Sequence, residues 1–271
     1  MDDRTRRALH DLSRRFYEES AESFDSTRQH PWPGWRQIAP KLAAIEGRGS
    51  DHPLRILDAG CGNGRFGRFL AAATGRGLDY TGVDSSTGLI DAARRASDFS
   101  GDVSAAPVTT GTSFVTADLQ DWLDAPSGAL PEKKAADTYD LIVLFGVLHH
   151  IPGRGARRRL LDLLARRVAE GGLLVATWWM LHETSRFEKL RVGWAAAPDI
   201  PADDLEPGDA LLGWQGRGLR YCHFPSEREL ADLENLPGLA LDESFRSDGP
   251  SGRDNLYRLF TRPPASSARI R

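Results

Sequence analysis

The run Leu57-Asp58-Ala59-Gly60-Cys61-Gly62-Asn63-Gly64 carries the densest chemistry in the chain. It stands where a short strand pattern at 54–58 gives way to a helical pattern at 65–73. Glycines at such a turn allow positive φ and let the backbone approach a ligand closely. About twenty residues on, a second strand pattern ends in Val83-Asp84, where an acid can accept both hydroxyls of a ribose. A third run is followed by Ala117-Asp118-Leu119, and an acid there can take the exocyclic amine of an adenine. The three acids and the turn outline an adenosine site.

Two kinds of cofactor contain that adenosine. A dinucleotide fingerprint, Gly-x-Gly-x-x-Gly, sets a helix N-terminus against a pyrophosphate. Here the spacing is Gly60-x-Gly62-x-Gly64, and position 65 is arginine. Asp58, just before the glycines, would repel a phosphate but suits the ammonium of an amino acid. Spacing and charge therefore favour S-adenosylmethionine over a nicotinamide or flavin. The cofactor set is Asp58, Gly60, Cys61, Gly62, Asp84, Ser85, Asp118 and Leu119.

These groups need a scaffold that brings three strand ends to one edge. Runs at 54–58, 78–83, 113–116, 141–145 and 173–178 read as strands, alternating with helical patterns at 65–73, 86–96 and 154–169. The run at 141–145 is apolar throughout, as strands buried on both faces are. Such alternation predicts a doubly wound α/β domain. Gly171-Gly172 is read as the break after the last helix. Ahead of the core stand helices at 4–20 and 35–46, the first with Ala8, Leu12, Phe16 and Tyr17 along one side. Between them lies a polar loop ending in Pro31-Trp32-Pro33-Gly34, and 47–53 is a cluster of breakers. Beyond the core, 182–220 has no clear period. A short helix at 225–233 begins at Ser226, with Glu229 at capping-box spacing. Runs at 239–245 and 256–261 read as an antiparallel pair. The plan is one domain: a helical cap at 1–46, a core at 54–180, an insertion at 182–222, a helix and strand pair at 223–262, and a tail at 263–271.

The 271 residues include 35 Lys and Arg against 38 Asp and Glu, and 40% are hydrophobic. That is a globular composition, large enough to need no disulfide or metal staple. A net charge of −3 excludes a polybasic coat for nucleic acid, so a basic face has to be local. The two cysteines, Cys61 and Cys222, form no ligand pair, and no zinc site from this chain is expected. The N-terminus carries no apolar leader, and the longest apolar runs, 141–148 and 173–181, are too short to cross a bilayer. A cytoplasmic protein with no membrane or DNA partner is expected.

Residues 54–180 resemble the class I S-adenosylmethionine-dependent methyltransferases. The likeness rests on the glycine turn, Asp84, Asp118 and the run Leu141-Ile142-Val143-Leu144-Phe145-Gly146-Val147-Leu148-His149-His150. The resemblance implies a Rossmann-like seven-stranded sheet, with Phe145 and Val147 lining the cofactor and His149 or His150 near the transfer site. The flanks resemble the tRNA wobble-uridine methyltransferases, which esterify 5-carboxymethyluridine. Carrying that likeness are the segment from Tyr17 to Arg28 with Pro31-Trp32-Pro33, Gly208-Asp209-Ala210-Leu211-Leu212-Gly213-Trp214, and Arg220-Tyr221-Cys222-His223-Phe224. Gly213 and Cys222 depart from that family's proline and tyrosine. The resemblance implies tRNA as a partner and a small zinc-containing activator subunit.

A carboxylate acceptor is ionised at neutral pH and needs no base. Arg28 and Arg220 are the residues to position it, with Tyr17, Tyr221 and His223 shaping the pocket. Arg28 is equally placed to hold the methionine carboxylate, and Tyr17 joins it in the cofactor set. A hydroxyl or amine acceptor would need a base, and His149 or His150 would supply it. Trp32 and Trp214 read as pins for the cap and the insertion. Arg154, Arg157, Arg158, Arg159, Arg166 and Arg167 crowd one helix with Asp162 alone opposing them, a candidate RNA face. A closed pocket would instead favour a small metabolite. A cofactor-binding partner protein without catalysis is the reading from another class.

Overall fold

The computed structural model describes residues 1–45, 52–74, 76–96, 111–124, 138–214 and 218–264. Most of the breaker cluster at 47–53, most of the loop at 100–113 and the tail beyond 264 lie outside these residues.

Five parallel strands form the centre: β1 (Leu54–Ala59), β2 (Leu78–Asp84), β3 (Gly111–Thr116), β4 (Tyr139–Leu144) and β5 (Val168–Trp179). The insertion folds into a small antiparallel sheet of β6 (Arg191–Val192), β7 (Asp209–Gly213) and β8 (Leu219–His223). The last two strands, β9 (Ala240–Ser247) and β10 (Asn255–Thr261), run antiparallel and complete seven in the order β3-β2-β1-β4-β5-β10-β9. The order reverses between β1 and β4, so connections leave in opposite directions and a crevice opens at their carboxyl ends.

Side chains alternate across a strand, and here both faces are covered. Ile142 and Leu144 of β4 join Leu174 and Ala176 of β5 in one buried cluster; Leu141, Val143 and Val175 join the other. The helices flanking the sheet are α2 (Pro33–Ala43), α3 (Arg65–Thr74), α4 (Thr87–Arg95), α5 (Leu119–Asp124) and α6 (Arg154–Ala165), with α7 (Ser185–Leu190) and α8 (Glu227–Asp232) later in the chain.

The N-terminal helix α1 (Asp3–Ser26) is capped by Asp2, whose carboxylate accepts from Thr5 N–H at 2.7 Å. It runs six residues past the expected end at 20. The polar run after Ser20 stays helical because Phe24 continues the Tyr17 face, with the two rings 5.1–5.3 Å from their neighbours along the stripe. The buried side is Leu9, Ser13, Phe16 and Ser20, while Ala8 and Leu12 are only partly covered. Ser13 ties the helix to β8, accepting from Tyr221 N–H at 3.2 Å.

Two further expectations change. Helix α6 ends at Ala165, and Gly171-Gly172 lie inside β5 rather than before it. Tyr139 pairs Val168 while Leu141 pairs Leu173, so β5 carries extra residues there and bulges. A Cβ at Gly172 would stand 2.8 Å from Ala169 O, which only glycine avoids. The insertion, expected to be aperiodic, contains a sheet whose strands are too short to show a period. Ser226 caps α8 as expected, accepting from Glu229 N–H at 3.2 Å.

Candidate functional site

The turn after β1 takes φ values of 84° at Gly60, 54° at Gly62 and 71° at Gly64. A Cβ at Gly60 would lie 2.2 Å from Val147 Cγ2, whereas one at Gly62 would meet nothing within 4 Å. The backbone therefore presents an open cradle at Gly62. Gly60 and Cys61 N–H donate to Val83 O at 2.7 and 2.9 Å, tying the turn to β2. Asp84 accepts from Gly62 N–H and Ser86 N–H, both at 2.9 Å, which fixes its carboxylate and leaves lone pairs for a ribose. Burial pushes the Asp84 carboxyl up, and those amide bonds oppose it.

Asp58 is 2% exposed and accepts from the Tyr80 hydroxyl at 2.5 Å. Burial lifts its carboxyl to about 7. Asp118 accepts from Gln120 N–H at 2.8 Å and faces His10 Nε2 at 3.0 Å. Burial opposes its charge, yet the His10 hydrogen bond prevails and holds it below the usual carboxylate range. His10 rises in turn, because Asp118 outweighs its own burial.

Helix α1 lies across the cleft. His10, Ser13, Arg14, Tyr17 and Phe24 form its lining stripe, and Arg28 follows in the next loop. The cleft encloses about 1210 Å³ with its mouth included. Every residue of the expected cofactor set lines it: Tyr17, Arg28, Asp58, Gly60, Cys61, Gly62, Asp84, Ser85, Asp118, Leu119, Phe145 and Val147. Trp32 lines it too, so it does more than pin the cap. Trp214 is buried under the Arg28 guanidinium, 4.8 Å from its carbon.

Sequence reasoning missed His10, Asn63, Arg65 and Trp179. The helical stripe 10-13-14-17 was the available signal, hidden because its residues are polar. Arg65 opens α3 and lies over the rings of Trp32 and Trp35 at 5.2 and 5.1 Å. Arg28 lies over Phe24 at 4.1 Å. Neither guanidinium has a carboxylate partner among the described residues. Desolvation pulls each down to about 10, with like charges nearby adding to it.

Across the cleft beside Tyr17, the His150 ring is 2.6 Å from the Tyr17 hydroxyl through Nε2 and 2.8 Å from Tyr221 O through Nδ1. A carbonyl only accepts, so Nδ1 carries the proton and Tyr17 donates to Nε2. Burial drives His150 down to about 3, and His149 falls well below its ordinary value for the same reason. His149 stacks on Trp179 at 4.0 Å, and neither ring nitrogen has a hydrogen-bond partner among the described residues.

Arg220 is 1% exposed and stands one layer behind the cleft wall. It donates to the Tyr17 hydroxyl at 3.3 Å and lies 4.9 Å from the Trp179 ring, again with no acid beside it among the described residues. His149, His150 and Cys222 bring their ligand atoms within 4.8 Å of one another. The neighbouring guanidinium opposes a cation there.

Tyr221 and His223 do not shape the cleft. Strand alternation sends Arg220 and Cys222 toward it and turns Tyr221 and His223 away. Tyr221 donates to Asp209 Oδ1 at 2.7 Å, and His223 bridges Asp209 and Glu229 at 2.7 and 2.8 Å. Arg157, expected on a solvated face, is 1% exposed and joins this network through Glu229 and Glu206, both at 2.8 Å. Arg154 pairs with Asp232 and Arg158 with Asp162. Glu206 comes from the insertion, Glu229 and Asp232 from α8 and Asp162 from α6 itself, so three arginines of α6 are paired with acids, while Arg159 and, just past the helix, Arg166 are exposed.

An S-adenosyl group fits these residues. The open glycine cradle, the oriented Asp84, the ionised Asp118 and Arg28, which has no carboxylate partner among the described residues, match its sugar, base and amino-acid ends.

A methyltransferase domain family matches residues 24–244. A protein of Encephalitozoon cuniculi, provisionally named a methyltransferase, is 27% identical over 86% of each chain. The tRNA (carboxymethyluridine(34)-5-O)-methyltransferases of Xenopus tropicalis and Saccharomyces cerevisiae are 27% and 25% identical over 64% and 62% of this chain. The match spans only 22% and 48% of those two proteins. A S-adenosylmethionine-dependent methyltransferase of Methanosarcina mazei shares the fold, with a TM-score of 0.55 and 19% identity over 78% of this chain and 93% of that one. So does magnesium protoporphyrin IX methyltransferase of Synechocystis with bound S-adenosylmethionine, with a TM-score of 0.53 and 16% identity over 97% and 98%. Among the described residues no helix is long and apolar enough to cross a membrane. The chain belongs to the methyltransferase domain family and is an S-adenosylmethionine-dependent methyltransferase.

Proposed function

We propose that this enzyme esterifies a carboxylate, and that the carboxymethyl group of 5-carboxymethyluridine at the tRNA wobble position is the acceptor. The observation that carries the reading is the positive charge gathered at the cleft. Guanidiniums of Arg28 and Arg65 line the cleft and Arg220 stands behind its wall, none with a carboxylate partner among the described residues. The histidines that would serve as bases are unsuited to it. His150 has both nitrogens committed, and burial holds both rings neutral and weakly basic.

S-adenosylmethionine, when bound, supplies a methyl group on positively charged sulfur. An acceptor carboxylate forms the new O–C bond as the S–C bond breaks, and no proton moves. The residues contribute alignment and exclusion of water. Tyr17, its proton held by His150, offers an oxygen lone pair to the cleft and takes one Arg220 hydrogen bond. Arg28 is placed for the methionine carboxylate beside Asn63, which donates to its carbonyl at 3.0 Å.

The tRNA acceptor is supported by the names of the frog and yeast relatives and by the flanking motifs. A second reading, a small carboxylic acid, is favoured by α1 lying across the cleft and by the acids that tie up α6. The test is transfer from labelled S-adenosylmethionine to tRNA bearing 5-carboxymethyluridine, beside a small-molecule extract of the source cells. Label in RNA that mild alkali removes establishes the wobble ester. Label confined to the small-molecule fraction overturns the RNA acceptor, and alkali-stable label in either fraction overturns ester formation.

A further inference from the structure

His10, Ser13 and Tyr17 of α1 line one side of the cleft, and each reaches across to a different partner. Tyr17 meets His150, and Ser13 meets the Tyr221 backbone. Those two bonds seat the helix. His10 instead meets Asp118, the acid after β3 that suits an adenine amine. His10 and Tyr17 stand about 10 Å apart along the helix axis, so α1 touches the cleft at two separate stations.

The contact is close on both carboxylate oxygens. His10 Nε2 stands 3.1 Å from Asp118 Oδ1 and 3.0 Å from Oδ2. A carboxylate only accepts, so Nε2 carries the proton whether the ring is neutral or charged. A second bond, from Gln120 N–H to Oδ1 at 2.8 Å, comes from within the acid's own turn. That bond alone lets the carboxylate swing about one oxygen; His10, from 108 residues away, fixes the other. An ionised carboxyl has about four lone-pair sites, so two donors leave room for an amine. Both side chains are 17% exposed, at the edge of the cleft they line. Asp11 and Arg14 flank His10 and meet each other at 3.8 Å, and Asp84 feels the Asp118 charge from the ribose side.

We infer that His10 is a positioning residue for the cofactor's base: its Nε2–H holds the Asp118 carboxylate in the orientation that accepts the adenine amine. This rests on the placement of the adenine at Asp118 given above. The same contact keeps the acid ionised, and an ionised carboxyl is an acceptor only, matched to an amine that only donates. Losing His10 should leave α1 seated. Leu9 and Phe16 remain buried, Ser13 and Tyr17 keep their bonds, and alanine favours a helix.

The test compares binding of S-adenosylhomocysteine with binding of its purine analogue, which carries hydrogen in place of the 6-amino group. Wild type should favour the amine at least about tenfold, the worth of a hydrogen bond to a charged acceptor. In Asp118→Ala that preference should vanish. In His10→Ala it should shrink below about threefold, with affinity for the purine analogue kept within about twofold of wild type. His10→Gln keeps an N–H at comparable reach and should retain a larger preference than His10→Ala. An equal loss for both ligands in His10→Ala would mean that His10 only seats α1. Unchanged or tighter binding of S-adenosylhomocysteine would mean that it is idle or competes with the base. Each of these overturns the inference, as does a His10→Gln variant no better than His10→Ala. A preference lost in Asp118→Ala but kept in His10→Ala removes the role of His10 and leaves the adenine placement standing. A preference that survives Asp118→Ala, or is absent from wild type, puts the adenine elsewhere, and the inference falls with that placement.

Discussion

Asp58 gives a test whose sign is fixed by burial. In the free protein its carboxyl sits at about 7, so near neutrality it is partly protonated. An ammonium docked against it favours the anion, so cofactor binding must expel that proton. Below the free pKa this linkage weakens binding by about tenfold per pH unit; above it the effect vanishes. At about pH 5 roughly one carboxyl in a hundred is ionised, so S-adenosylhomocysteine should bind on the order of 100-fold more weakly than at about pH 7.5, near 2.7 kcal/mol. The ligand's amine stays mostly protonated over that interval. Titration calorimetry across it reads the slope directly. Asp58→Asn, neutral throughout, should flatten the slope and leave affinity near the acid limit of the wild type. A wild-type affinity that is level from about pH 5 to 7.5, or a slope that survives in Asp58→Asn, would refute the assignment of Asp58 to the ammonium.

Asp84→Ala should weaken S-adenosylhomocysteine binding by about 1–3 kcal/mol, the loss of hydrogen bonds to a charged acceptor; a variant that titrates like wild type places the ribose elsewhere. Gly60→Ala should abolish detectable binding, because its Cβ would stand 2.2 Å from Val147 Cγ2. Adding Val147→Ala should restore it incompletely, with about 1–2 kcal/mol of left-handed strain remaining; full recovery would show that φ does not matter there. Glu229 is buried, which opposes its charge, yet His223 and Arg157 hold it down to about 2. Its contribution, about 3 kcal/mol, is present above about pH 4.5 and lost as pH falls through 2. Urea unfolding of Glu229→Gln should be weaker by that order at neutral pH and lose the acid dependence. Turnover of a carboxylate acceptor should show no inflection from His149 or His150 between about pH 5 and 9, since burial holds His150 at about 3 and pushes His149 well below its ordinary value; a base-type rise abolished by substituting either histidine would sink the ester mechanism.

What the sequence disclosed is what local pattern encodes. Unbroken apolar runs mark β4 from Leu141 and β5 from Leu173 because both faces of that sheet are covered, and the glycine spacing marks a turn whose φ values only glycine tolerates. The acids at strand ends follow from the same register. What stayed hidden depends on partners distant in the chain. Arg157 reads as one of six surface arginines until Glu206 and Glu229, 49 and 72 residues away, are brought to it. The motif Arg220-Tyr221-Cys222-His223 reads as one cluster, yet a strand divides it between two faces, and only the Arg220 and Cys222 side turns toward the cleft.

That division has a functional consequence. The two faces of β8 serve one device: Tyr221 and His223 lock the insertion to α6 and α8 through Asp209, Glu229 and Arg157, while the Tyr221 carbonyl fixes the His150 tautomer. The tautomer sets the direction of the Tyr17 proton, and Ser13 holds α1 to the same strand. A residue remote from the cleft thereby supports the hydrogen bonds that orient the Tyr17 hydroxyl. Substituting His223 should therefore disturb the Tyr17–His150 hydrogen bond through Asp209 and Tyr221, although its own ring does not line the cleft.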